Sequence, residues 1–384
     1  MRAALSVVEV KGRLVSTMPD QESSVDPTSG VDPAAAPGLA RYAGVDTHAD
    51  THHVAVVDGL GRRLADHEFV TTSAGYRQLL AWLLTHGQVT GVGVEGTGCY
   101  GAGLTAVLTA AGLAVFEVDR PDRAARRRRG KSDPEDAYAA ATAVAAGRAT
   151  GLPKPRTGTV EAIRAIRVAR RSAIKARTLT ANQLHALLIT APAGLRDQVR
   201  GLPLRKLVAH FDQPVTEVAV DDAETGLRYA LAALARRWQA LSVEITAHDQ
   251  HLTRLAHHAA PTLLALPGVG VDVATQLLVT ASANPARLRS EAALAHLCGV
   301  APISASSGRT DRHRLNPGGD RQANRAIHVV VMTRLRHHDQ TKAYAERRKG
   351  QNLTTKEIMR CLKRHVTREL YKALIHDLQP LDKT

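Results

Sequence analysis

The chain has 384 residues, enough for two or three domains with their own cores, and its three cysteines, Cys99, Cys298 and Cys361, form no CxxC pair, which argues against a zinc ribbon or a disulfide framework. Its 51 Lys and Arg exceed its 36 Asp and Glu to give a net charge of +15, mostly as arginine, so a polyanion such as nucleic acid is the expected partner, while aromatics at 3% argue against base stacking as the main binding mode. No apolar run reaches the roughly 18 residues of a membrane span and no secretory h-region opens the chain, so no membrane partner and a cytoplasmic location are expected.

Residues 1–40 read as a disordered, slightly acidic N-terminal extension: Asp20 to Pro27 and the Pro/Ala/Gly-rich run to Gly38 carry no apolar periodicity. Order begins at Arg41. Tyr42–Asp46 reads as a short buried strand and His53–Asp58 as a second, followed by a Gly59-Leu60-Gly61 turn and a third strand over Leu64–Val70. Ser73 is expected to cap a helix with Tyr76, Leu79, Leu80, Leu83 and Leu84 on one face. A fourth strand follows at Val92–Glu95, then a Gly-rich turn, a helix over Leu104–Ala111 and a fifth strand over Ala114–Val118. Three strands, helix, strand, helix, strand is the order of an RNase H-like α/β domain, a mixed sheet flanked by helices, here spanning 41–150.

Strand signals then vanish. Over 151–260 the chain reads as helical: Leu227, Leu231, Leu234, Trp238, Leu241, Ile245, His248, Leu252 and Leu255 step by four and three, close to a coiled-coil heptad, and Val160 to Leu188 is helical with a less regular seam. Two long helices joined near Gly194–Pro214 would form an antiparallel hairpin, read as a protruding coiled coil that also supports oligomers, with a helical bundle belonging to one compact domain as the alternative. The segment 261–384 opens on a helix, a Pro267-Gly268-Val269-Gly270 turn and a second helix through Leu278. Such a helix–hairpin–helix element presents backbone N–H groups, with Gly268 and Gly270 letting a phosphate approach. A plain packing turn is the alternative.

Four carboxylates carry the chemistry. Asp46 lies in the first strand at a buried place, where a lone carboxylate costs free energy unless paired or metal-bound. Glu95 ends the fourth strand, next to the first in an RNase H-like sheet. Asp133 and Asp136, in Lys131-Ser132-Asp133-Pro134-Glu135-Asp136-Ala137, sit three apart on one helical face, with Pro134 suited to the first helical position. Together the four make two oxygen-rich Mg²⁺ positions, which suit phosphoryl transfer. Taken singly, Asp133 also reads as a helix N-cap and Asp46 as a strand-end residue. His48, His52 and His53 lie close by and read better as surface histidines than as ligands. Arg126, Arg127, Arg128, Arg129 and Lys131 form a basic run just before the last acidic pair, where a nucleic-acid backbone would be drawn in. Downstream, Ser304, Ser306 and Ser307 crowd a loop ending at Gly308, followed by Arg309, Arg312, His313, Arg314 and then Arg321. A serine needs activation to act as a nucleophile, and spacing alone leaves this segment an ordinary loop.

Gly44-Val45-Asp46, Val94-Glu95-Gly96-Thr97-Gly98 and Lys131–Ala137, with Leu266-Pro267-Gly268-Val269-Gly270, Gly299-Val300-Ala301-Pro302, Ser307-Gly308 and Gly318-Gly319, resemble the DEDD transposases of bacterial insertion sequences over residues 41 to about 375. The resemblance implies a RuvC-like catalytic domain with Asp46, Glu95, Asp133 and Asp136 as its acidic residues. It implies a C-terminal transposase domain in which Ser307, preceding a glycine, is the nucleophile. Ser304 and Ser306 stay open. It further implies recombination guided by a structured non-coding bridge RNA, joining double-stranded donor and target DNA through a phosphoserine intermediate. It implies dimers pairing into tetramers, with composite sites of one subunit's carboxylates and another's serine. The extension before Arg41 departs from the family pattern. Two other readings remain: a RuvC-like nuclease or Holliday-junction resolvase using water, and a non-catalytic nucleic-acid-binding protein.

Overall fold

A computed structural model describes residues 40–118, 132–154, 156–212, 220–282, 288–304, 306–308, 313–314 and 316–379. The N-terminal extension, the basic run Arg126–Lys131, and Arg309 and Arg312 lie outside the described residues. The chain forms two compact units: the described residues up to Glu95 with Val107–Thr150, and Gly96–Ala106 with the described residues from Gly151 onward.

In the first unit β1 (Arg41–Thr47), β2 (Thr51–Asp58), β3 (Arg63–Val70), β4 (Val89–Glu95) and β5 (Val115–Val118) form one sheet in the order β3-β2-β1-β4-β5. The pairs β1/β2 and β2/β3 are antiparallel, whereas β1/β4 and β4/β5 are parallel. The sheet is mixed, as the strand order predicts. β1, β2 and β4 read as apolar runs because both faces are covered: Ala43, Val45, Val54, Ala55, Val56, Val57, Val92 and Val94 are fully buried. Helix α1 (Ser73–Thr85) starts one residue earlier than expected. Thr72, in extended backbone, accepts the Gly75 N–H at 3.0 Å and is the N-cap, so Ser73 is already helical. Its buried stripe is narrower than predicted, with Leu79 and Leu83 inside and Leu84 56% exposed. Helix α2 (Ala102–Ala110) precedes β5.

Helix α3 (Asp133–Ala145) lies against one face of the sheet, and small residues explain how closely. A Cβ at Gly44 would stand 2.1 Å from the Ala141 amide nitrogen and 2.2 Å from the Ala137 carbonyl oxygen; one at Gly93 would stand 2.7 Å from Val144 Cγ2. Ala137, Ala140 and Ala141 answer from the helix, and Ala137, Tyr138 and Ala141 form a cluster with Ala55 and Val57 of β2. Backbone thus meets backbone with no side chain between, which pins the height and direction of α3.

The second unit is helical. Helices α4 (Gly158–Ile189) and α7 (Ala223–Ala259) run antiparallel: Val160 and Ile163 share a core with Leu252 and Ala259, and Leu184 and Leu188 share another with Leu231 and Ala235. Between these cores Arg170 Nε bonds Asp249 Oδ1 at 2.5 Å. At 1.5 Å per residue α7, with 37 residues, is about 55 Å long. It opens on a capping box in which Asp222 accepts from the Glu224 and Thr225 amides at 2.8 Å. Short helices α5 (Ala193–Val199) and α6 (Leu204–Phe211) supply Leu195, Val199, Leu207, Val208 and Phe211 to the core at the far end of the pair.

The remaining elements are α8 (Pro261–Leu264), α9 (Val271–Ala281), α10 (Glu291–Leu297), a two-residue pair β6 (Ile303–Ser304) and β7 (His313–Arg314), α11 (Arg321–His337), α12 (Asp339–Gly350) and α13 (Thr355–Leu378). Leu277, Leu278, Ile327, Val330, Val331, Leu370 and Leu374 make their common core. In the Pro267–Gly270 turn Gly268 has φ +78° and faces α11, with the Val330 carbonyl 3.2 Å from where a Cβ would sit. The nearly buried Arg334 donates from Nε to the Pro267 carbonyl at 2.8 Å. One side of the turn is therefore a packing contact, and Gly270, the exposed N-cap of α9, is open. No helix among the described residues is long and apolar enough to cross a membrane.

Candidate metal centre and serine loop

Along β1 the pleat puts Gly44 and Asp46 on one face. Because Gly44 admits α3, the first turn of that helix falls beside Asp46. Asp133 is the first helical residue and Pro134 the second; Ser132 is the N-cap, so Asp133 is not the cap. A nearby imidazole joins the two: His48 Nε2 lies 3.5 Å from Asp46 Oδ2 and 3.5 Å from Asp133 Oδ1. Asp46, His48 and Asp133 each offer a ligand atom within 4.8 Å of the others. Asp46 is 7% exposed and Asp136 5%, whereas the His48 side chain is half exposed.

The electrostatics follow from burial. Desolvation raises the Asp46 carboxyl above its ordinary value; His48 opposes this, and the Asp133 and Asp136 charges add to the rise. Asp136 thus belongs to the same electrostatic cluster. Glu95 comes to it by register: Val45 pairs with Val94 in the parallel β1/β4 ladder, so Asp46 and Glu95 are next in line at the C-terminal ends of adjacent strands. Glu95 shares the α3 side of the pleat with Gly93. Thr47 Oγ1 donates to the Glu95 carbonyl at 2.8 Å and ties the two strand ends together.

The acids of α3 divide by direction. Glu135 turns toward β3, where Arg63 grips it with two bonds of 2.6 and 2.7 Å. One turn on, the Tyr138 hydroxyl donates to Asp66 Oδ1 at 2.9 Å, and His53 Nε2 meets Asp66 Oδ2 at 2.8 Å. These contacts fasten α3 to the sheet edge and leave Asp133 and Asp136 for the cluster. Three acidic groups beside one imidazole, two of them buried, form a donor set that a divalent cation would neutralise, so the residues present fit a metal.

The three histidines part company, which corrects their reading as surface residues. His52 is fully buried and stacks on Tyr76 at 5.6 Å, because β2 is covered on both faces. His53 serves the Asp66 contact. His48, half exposed, joins the acidic cluster, and the signal for it was its position two residues after Asp46, on the same side of an extended chain.

The serines sit on a hairpin in the second unit, where Ile303 pairs with Arg314 and Ser304 with His313. Ser304 Oγ donates to Ser306 Oγ at 3.4 Å, and Ser306, Ser307 and Gly308 are exposed. Two of the glycine motifs form its neck. A Cβ at Gly319 would stand 2.2 Å from the Gly299 amide nitrogen, Asp320 N donates to the Leu297 carbonyl at 2.7 Å, and Asn324 Nδ2 holds the Cys298 and Gly299 carbonyls at 3.0 Å each. Arg314 lies in β7, and Arg321 opens α11 after the N-cap Asp320. Both are exposed.

Two family models match. One, a DEDD-type model of the IS110 group described as "Transposase", covers residues 43–191, and the other, "Transposase IS116/IS110/IS902 family", covers 260–346. Together they span more than half of the chain. Among curated relatives, an uncharacterised 43.6 kDa protein of insertion element IS110 from Streptomyces coelicolor is 29% identical over 38% of this chain and 36% of its own length. The mini-circle protein of the same organism named as a transposase for IS117 is 27% identical over 71% of this chain and 78% of its own length. A 42 kDa protein of insertion element IS900 from Mycobacterium paratuberculosis is 28% identical over 31% of each chain. The match thus spans about a third of the first and last of these relatives and more than three quarters of the second. The chain belongs to the IS116/IS110/IS902 transposase family.

Proposed function

We propose that this chain is an insertion-sequence transposase that cuts and rejoins DNA strands, with Asp46, Glu95, Asp133 and Asp136 as its metal-holding acids and Ser307 as its nucleophile. The observation that carries the reading is the gathering of Asp46, His48 and Asp133 within ligand distance, with buried Asp136 coupled to them and Glu95 next in register. Asp46 and Asp133, with His48, would hold one cation, and Asp136 and Glu95 extend the set toward a second; Mg²⁺ is the cation proposed. Bound there, it would neutralise charge on the reacting phosphate.

The chain's own residues account for the rest. Gly44 and the Ala137–Ala141 stretch set the height of α3, and the Arg63–Glu135 clamp fixes its start, so the acids are held in place before a substrate arrives. In the proposed step the Ser307 oxygen bonds to the scissile phosphorus. The bond from phosphorus to one deoxyribose oxygen breaks, and that sugar oxygen leaves with the proton the serine gives up. Reversal by a different sugar hydroxyl rejoins strands and frees the serine. The exposed position of Ser307, beside a φ of +56° at Gly308, supports access to a strand. Donor and target duplexes and a structured non-coding RNA are the partners in this reading, and a dimer or tetramer is the working state; the net charge of +15 supports a polyanionic partner, and the family membership supports DNA as the substrate.

The test is a denaturation-resistant protein–DNA adduct. Purified chain is incubated with RNA transcribed from the flank of its element, Mg²⁺ and labelled junction DNA. Wild type is expected to form the adduct, Ser307→Ala to lose it, and Asp46→Asn to lose both adduct and cleavage. Cleavage that persists in Ser307→Ala with no adduct in either protein would overturn the serine assignment and favour a RuvC-like nuclease acting through water.

A further inference from the structure

Lys356, Arg360, Lys363, Arg364 and Arg368 recur along α13 at spacings of four, three, one and four, which places them on one helical face. A charged face of this kind is ordinarily solvated. Here it forms a wall of a groove of about 1180 Å³, with Arg348 of α12 beside it and the Gly299–Pro302 neck and Arg314 of the serine hairpin also lining it. Among the described lining residues the single acid is Glu357, and its carboxylate is taken by its own capping box, accepting from Thr354 N at 2.8 Å and Thr354 Oγ1 at 2.7 Å.

The cations are under-satisfied. Arg364 Nη1 and Arg348 Nε are buried and have no hydrogen-bond acceptor among the described residues. Arg364 and Arg368 share one carboxylate, Glu291, at 3.1 and 3.2 Å. Lys363, half-buried, donates to the Asn324 carboxamide at 2.7 Å rather than to a carboxylate, and its burial lowers its pKa. Buried donors without acceptors are costly, and an anion with several lone pairs relieves them. Among the described lining residues Tyr344 is the one Phe, Tyr or Trp, and its ring is already occupied by Arg347 and Arg348 at 5.3 and 5.9 Å and by the edge of His365 at 5.2 Å, so the wall is suited to phosphates rather than to stacked bases. From Lys356 to Arg368 the face runs about 18 Å, roughly five phosphate steps along a duplex strand.

We propose that this groove binds the phosphodiester backbone of a nucleic-acid strand and leads it past the neck of the serine hairpin. Lys363 links the two: through Asn324 it bears on the Cys298 and Gly299 carbonyls, where the hairpin begins. The proposal rests on the reading that the chain acts on nucleic acid, but not on the carboxylate or serine chemistry, so it is tested without divalent metal.

Full-length protein in EDTA is titrated with a short duplex DNA and, separately, with a structured RNA, by fluorescence anisotropy across a potassium chloride series. Lys356→Gln/Arg360→Gln changes two exposed side chains and spares the fold, which circular dichroism checks. Arg236→Gln/Arg237→Gln, on exposed α7, removes the same charge away from the groove. The groove variant is expected to flatten the slope of log affinity against log salt by about 1.8 where the bound strand is base-paired, or by about 1.4 where it is a single-stranded stretch of the structured RNA, with the α7 variant close to wild type. The nucleic acid whose slope changes identifies the source of the phosphates. Wild-type slopes in the groove variant, or equal changes in both variants, would overturn the groove and leave general attraction to a cationic protein. Wild type that binds neither nucleic acid would overturn the functional reading as well.

Discussion

Gly44→Ala tests whether close backbone packing is what assembles the acidic cluster. The new Cβ would stand 2.1 and 2.2 Å from backbone atoms of α3, against 3.4 Å or more for an ordinary contact, so helix and strand must part by about 1.3 Å. Neither atom belongs to a flexible side chain, and no rotamer change relieves the clash. Overpacking of this kind costs about 1–3 kcal/mol. For a unit of this size that lowers the melting temperature by on the order of 4–12 °C. The same shift moves Asp133 and Asp136 away from Asp46, although no acid is altered. Cation affinity should fall about tenfold to a hundredfold, the usual loss when the support of a ligand is disturbed. Strand transfer should fall about a hundredfold, since misplacement by about 1 Å carries that cost. Thermal melting with and without Mn²⁺, and calorimetric Mn²⁺ titration, measure these effects. Gly194→Ala, at a helical position with nothing within 4 Å of the added methyl, is the control and should melt at or slightly above wild type. A Gly44→Ala protein with wild-type melting and wild-type Mn²⁺ affinity would refute the reasoning, because the seam would then tolerate a side chain without moving the acids.

Further substitutions separate the parts of the site. His48→Ala should weaken Mn²⁺ binding more than Mg²⁺ binding, because an imidazole suits the softer ion; equal losses for both would count against coordination by His48. Asp66 is held below the ordinary carboxylate range chiefly by its His53 hydrogen bond, with the Tyr138 hydroxyl helping against the opposing effect of burial. Its contribution is therefore present above its unfolded pKa, near 3.8, and is lost as pH falls through the lower folded value. Asp66→Asn should flatten that acid limb of the melting-temperature profile, and a limb parallel to wild type would remove Asp66 from the account. Arg334→Met strips the Pro267 carbonyl of its donor and Glu369 of its partner, so the urea midpoint should drop by the equivalent of about 1–3 kcal/mol; an unchanged midpoint would mean that the Gly268 turn holds itself.

Local periodicity made much of the first unit legible. Strands covered on both faces show as apolar runs, and the turn between β2 and β3 carries Gly59 and Gly61. Asp46 stood out because a carboxylate within such a run needs a partner. Asp133 and Asp136 stood out because helical spacing puts them together. What escaped was contact between distant segments. Arg63 and Glu135 are 72 residues apart, and neither is unusual in its own segment. The Pro267–Gly270 turn reads equally as a phosphate-facing element or a packing turn because α11, which packs one side of it through Val330 and Arg334, lies more than 60 residues on. The charged face of α13 carries no signal in its own segment that separates it from a solvated helix; it becomes the wall of a groove only through Arg348, Asn324 and the serine hairpin around it.

The same distinction bears on how the acids are to be weighed. Gly44 and Asp46 are two residues apart on one face of β1, and they do opposite things: the first admits α3 by having no side chain, the second receives the charge that α3 brings. Ala137 and Ala141 stand in the same relation to Asp133 and Asp136 on the helix. A motif that counts only carboxylates therefore records half of the site. A chain with all four acids but a larger residue at the position of Gly44 would keep the motif and lose the geometry. Conversely, an acid can be moved along the sheet edge only where another small-residue seam lets a helix approach as closely. The spacing from Gly44 to Asp46, and from Asp136 to Ala141, is in this sense one constraint written in two places.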